Sequence, residues 1–121
     1  MLRTAKHSIN DDLDRLVENL LREDLDYERA ENRSAHREHL VRPVLVALKG
    51  HADPIKGFSK NISNYGIGLI TDSEIPLQTA AITIESLRGP ANKVLAECRW
   101  CKPFGKNWFL SGWQFINVLQ R

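Results

Sequence analysis

The spacing of apolar residues changes period once along the chain. From Ser8 to Ala30, Leu13, Leu16, Val17 and Leu20 recur three and four residues apart, with Leu21 and Leu25 beside them. Side chains so spaced share one face of an α-helix, so the pattern predicts a helix with an apolar stripe. Ser8 and Asp11 have capping-box spacing, and the carboxylates of Asp11, Asp12 and Asp14 suit the positive end of the helix dipole. Asp11 with Arg15 and Glu18 with Arg22 add acid-first pairs four apart. Such a stripe must be covered, either by the rest of the chain, by a second copy or by another protein.

Beyond Arg37 the period shortens to two. Pro43 to Lys49 sets Val44, Val46 and Leu48 on one face of a strand, and Gly50 to Pro54 supplies a turn. Further short strands are expected over Phe58 to Ile62 and Ile67 to Thr71, with a corner at Ser63 to Gly66. Ile75-Pro76-Leu77 reads as a loop with its apolar side chains tucked inward. Gln78 to Leu87 alternates and is stopped by Arg88-Gly89-Pro90, after which Lys93 to Lys102 and Asn107 to Ile116 form a hairpin around Pro103 to Lys106. Trp100, Trp108, Trp113, Phe104, Phe109 and Phe115 are expected to pack in its core and across its strands. Short strands in succession, with no second helical pattern, favour an antiparallel barrel, whose closure removes exposed strand edges.

The 121 residues suit one modest core, divided into a helical leader over 1–30 and a β-barrel domain over 31–121. Charge divides at the same place: Met1 to Asn32 has five Lys and Arg against nine Asp and Glu, whereas Arg33 to Arg121 has twelve against six. The basic body is therefore the expected home of an anionic ligand. No dense basic run argues for nucleic acid, although the tryptophans of a basic barrel leave single-stranded nucleic acid as a competing ligand class. The longest apolar runs, such as Val44 to Leu48, are too short to cross a bilayer, and Met1 to Asn10 lack a signal-peptide core. No membrane span and a cytoplasmic location are expected.

No P-loop, metal motif or Ser/His/Asp order is visible, so neither an enzyme nor a bound cofactor is expected. Cys98 and Cys101 have zinc-knuckle spacing without partner ligands. Three positions apart on a strand they are expected to face opposite sides as ordinary reduced thiols. His36 and His39 read as a solvated pair.

Two polar segments remain. Arg33 and Arg37 are four apart, a spacing that Arg29 and Arg33 also meet. A guanidinium forks onto phosphate oxygens, bonds guanine O6 and N7, or stacks on a base, which lysine cannot match. One strand downstream, Asn61 and Ser63 are two apart and so face one side of an extended chain, offering an amide and a hydroxyl. Gly66, with Gly68 after it, can adopt a positive φ and let a ligand or backbone come close.

Taken together, Arg33-Ser34-Ala35-His36-Arg37, a strand, Asn61-Ile62-Ser63-Asn64-Tyr65-Gly66 and the strands ending in Ser111-Gly112-Trp113-Gln114-Phe115 resemble a PilZ domain over about Arg33 to Val118. Asn61 stands where that family commonly has Asp. The resemblance implies a six-stranded antiparallel β-barrel behind the leading helix and a bacterial receptor for cyclic di-GMP. Arg33, Arg37, Asn61, Ser63 and Gly66 would bind the ligand, and a downstream protein would receive the signal. The alternative is a PilZ-like interaction module that has lost the nucleotide and acts, or forms homo-oligomers, through its N-terminal helix.

Overall fold

A computed structural model describes residues 11–23 and 40–120. Six strands follow one helical segment: β1 (Pro43–Leu48), β2 (Ile55–Ile62), β3 (Gly66–Thr71), β4 (Thr79–Ile84), β5 (Asn92–Pro103) and β6 (Phe109–Gln120). They close into a barrel in the order β1-β2-β3-β6-β5-β4, and every neighbouring pair is antiparallel. The expected fold class therefore holds. Alternation supplies the interior: β1 buries Val44, Val46 and Leu48 and turns Pro43, Leu45 and Ala47 outward.

Of the helix expected from Ser8 to Ala30, residues 11–23 are described, and they are helical (α1). Leu13, Leu16, Val17 and Leu20 are buried and belong to the same core cluster as the barrel side chains. The stripe is thus covered by the rest of its own chain. At the end of this segment the Glu23 carboxylate accepts bonds from the Ser86 hydroxyl and, at 3.1 Å, from the Leu87 N–H. It also lies 3.8 Å from the guanidinium of buried Arg42. Ser86 follows β4 and Arg42 precedes β1, so α1 covers the barrel end at which β1 begins and β4 finishes. The opposite end receives the β3–β4 connection. There Ile75 is buried as expected, while Leu77 stands 69% exposed.

β2 starts three residues earlier than the expected Phe58, at Ile55. Its inward positions Gly57 and Ser59 are not apolar, which hides the alternation. Gly57 fits because a Cβ there would collide with the Ile70 carbonyl on β3. Ser59 fits because its hydroxyl is fully used: Oγ accepts from the Arg42 N–H at 2.9 Å and donates to the Leu40 carbonyl. A bulge at Lys60 then shifts the register so that Asn61 faces outward and Ile62 inward.

Candidate functional site

The corner between β2 and β3 is held by one side chain. The Ser63 Oγ accepts from the backbone N–H groups of Tyr65 at 3.1 Å and Gly66 at 3.3 Å, while the Ser63 N–H donates to the Gly66 carbonyl at 2.9 Å. The hydroxyl proton is what remains for a ligand. Asn61, Ser63 and Gly66 come together in the lining of one open groove of about 340 Å³. Gly68, Arg99, Trp100 and Gly112 also line it.

Strand pairing explains the shape of this groove. Asn61 on β2 is opposite Gly68 on β3, Gly68 is opposite Gly112 on β6, and Gly112 is opposite Trp100 on β5. Four strands therefore contribute one lateral row, about 14 Å long at the usual strand spacing, with a side chain at each end and bare backbone between. The end groups lean over that floor. A Cβ on Gly68 would meet Asn61 Oδ1 at 2.6 Å, and one on Gly112 would fall within the Trp100 indole.

Trp100 reaches this position through a second bulge. The β5–β6 register shifts between Cys98 and Trp100, leaving Arg99 as the extra residue, so Arg99 and Trp100 are both exposed although adjacent. The Arg99 guanidinium donates to the Gln114 side-chain oxygen at 2.9 Å and lies 3.5 Å from the Glu97 carboxylate. Its five N–H donors are not exhausted by these contacts. The Lys102 ammonium stands 5.5 Å from the Trp100 ring centroid. An outward aromatic face, a guanidinium, an amide and a hydroxyl suit a planar heteroaromatic group that carries negative charge.

Three expectations change here. Gly66 does not adopt a positive φ, which among the described glycines is found at Gly50 and Gly105. Glycine is needed at 66 because the Trp113 carbonyl of β6 passes where a Cβ would sit. Trp113 and Phe115 are core residues, whereas Trp100, Trp108 and Phe104 are each more than 40% exposed. The Arg99 bulge also cancels the expected opposition of the two cysteines: Cys98 is buried and Cys101 packs against the same core. Burial, with Cys101 nearby, pushes the Cys98 thiol up to about 11, against a smaller opposing effect of its contact with the Trp100 carbonyl. Among the described residues, no three His, Cys, Asp or Glu side chains converge to hold a metal ion.

Arg33 and Arg37, with His36 and His39, lie outside the described residues. The point at which their segment joins the barrel is described. The Leu40 N–H donates to the Lys60 carbonyl at 3.2 Å, and the Leu40 carbonyl receives the Ser59 hydroxyl. Leu40 is thereby fixed beside the bulge that precedes Asn61.

No family model matches the chain, and no curated protein is significantly similar to it. No helix among the described residues is long and apolar enough to cross a membrane.

Proposed function

We propose that this groove binds cyclic di-GMP and that the protein is a non-catalytic receptor of bacterial second-messenger signalling, as the likeness to PilZ domains implies. The observation that carries the reading is the convergence of Asn61, the Ser63 hydroxyl, Arg99 and the outward face of Trp100 on one open groove. In this reading the arginines take the phosphates or guanine edges, Asn61 and the Ser63 hydroxyl bond one guanine, and Gly66 keeps the corner tight. Trp100, read from the sequence as hairpin packing, adds a face on which a base can stack. The bound ligand engages the arginine segment, and a downstream protein reads that change.

An alternative in which α1 itself recruits partners is less well supported, because its stripe residues are buried in the chain's own core. Titration calorimetry of the full chain with cyclic di-GMP is the test. Saturable heat at one defined stoichiometry is expected. No heat at high micromolar protein overturns the receptor reading.

A further inference from the structure

The outer wall of a closed barrel has no partner within the fold, so its side chains are expected to be polar. Around β1 they are not. Leu45 is 40%, Phe58 46% and Trp108 41% exposed, and together with Pro43 they line an apolar groove of about 430 Å³. Strand register makes this one patch: Phe58 is opposite Pro43, and Leu45 is flanked by Lys56 on β2 and Thr83 on β4. The patch lies on the β1–β2–β4 wall, and the glycine-floored groove on the β2–β3–β6–β5 wall.

Its charges indicate the occupant. Lys56 and Glu85 both line the groove, on opposite sides of Leu45. Lys56 is the cross-strand neighbour of Leu45 on β2, while Glu85 follows β4 and donates its N–H to the Pro43 carbonyl at 3.1 Å. Both are exposed, and neither makes an ion pair among the described residues. A partner of a single charge would satisfy one and oppose the other. A second copy satisfies both: a two-fold axis in the plane of the patch, midway between them, sets each Lys56 against the partner's glutamate and stacks the apolar centres. The α1 stripe is already buried within its own chain and so is not available to a second copy.

We infer that this patch is the contact between two copies of the chain, an isologous dimer centred on Leu45 and Phe58 and closed by two reciprocal Lys56–Glu85 pairs. Asp72, whose N–H donates to the Lys56 carbonyl at 3.4 Å, adds a carboxylate at the lysine end of the same groove. With so few apolar side chains at its centre, the interface falls below the ~800 Å² per partner of stable complexes, and a dissociation constant of roughly 10–100 µM is expected. The inference is independent of the nucleotide reading.

Sedimentation velocity of the full chain between about 5 and 500 µM tests it, bracketing the expected constant. Reversible dimerisation is expected. Lys56→Glu alone and Glu85→Lys alone should each weaken it at least about tenfold, because each places like charges in both pairs. The double variant K56E/E85K should restore it. Both positions are exposed, so circular dichroism should show the fold retained. A monomer at every concentration overturns the inference and leaves the groove to a different protein. Dimerisation indifferent to the single variants, or a double variant no better than either, overturns it equally.

Discussion

Asn61 and Trp100 face each other from the two ends of one cross-barrel row, with only Gly68 and Gly112 between them. The three glycines near this row should therefore respond differently to an added methyl group. At Gly68 and Gly112 the clash is with side-chain atoms of Asn61 and Trp100, whereas at Gly66 it is with the Trp113 backbone carbonyl. Gly68→Ala and Gly112→Ala should change stability by less than about 1 kcal/mol while displacing the end groups and weakening cyclic di-GMP binding at least tenfold. Gly66→Ala should cost several times more stability, as forced backbone shifts do. Urea unfolding and calorimetry on the three variants check this; equal losses of stability would contradict it.

Ser59 is one side chain from the site and is expected to matter to it. Its hydroxyl bonds both the Arg42 N–H and the Leu40 carbonyl, and all three groups are buried. Ser59→Ala leaves two buried backbone groups without that partner, a loss of about 2–3 kcal/mol in urea unfolding. The variant also frees Leu40, so calorimetry should show weaker ligand binding than in the wild type, in the same direction as Arg37→Ala. Unchanged affinity in both variants would show that the arginine segment does not act at this groove.

Glu23 ties α1 to the barrel through Ser86, Leu87 and Arg42. The Arg42 side chain is 5% exposed and that of Glu23 14%, so this pair is screened far less than Glu18 with Arg22, which are 63–68% exposed on the outer face of α1. Glu23→Ala should cost about 3 kcal/mol by leaving the Arg42 charge buried without that carboxylate. Glu18→Ala should cost less than about 0.5 kcal/mol. Hydrogen exchange should show α1 opening in the first variant and not in the second.

The raised Cys98 thiol gives stability a defined alkaline limit. The protonated form is favoured in the fold, so this contribution is complete below the ordinary value of 9.0 and is lost as pH climbs through about 11. Urea midpoints at pH 8 and pH 10.5 should fall further for the wild type than for Cys98→Ala. Iodoacetamide at pH 8 should react with Cys98 only after unfolding, because the thiolate is both scarce and enclosed.

The elements legible in the sequence are those in which apolar alternation runs uninterrupted. Leu13 to Leu20 and Val44 to Leu48 announced themselves by period, and the β2–β3 corner by its turn residues. What escaped was set by bulges and by glycines. Lys60 and Arg99 each insert one residue, after which inside and outside exchange, so counting by two placed Cys101 and Trp100 on the wrong faces. Ile55 to Gly57 was invisible as the start of β2 because its inward position holds Gly57, chosen by a neighbouring carbonyl rather than by hydrophobicity. The value of Gly68 and Gly112 lies in a lateral alignment across four strands, which no local window contains.

The order of strands around the barrel also dictates when the groove can first exist. β1 closes onto β4 through Val44 and Ile84, and the row from Asn61 to Trp100 is joined only through Gly112 on the last strand. Contacts so distant in sequence are slow to form, because the intervening chain must lose its freedom before they contribute. A chain still emerging from the ribosome displays both motifs yet has no floor between them. The groove itself is thereby reserved for finished molecules, since a chain without β6 lacks Gly112 and the floor it joins.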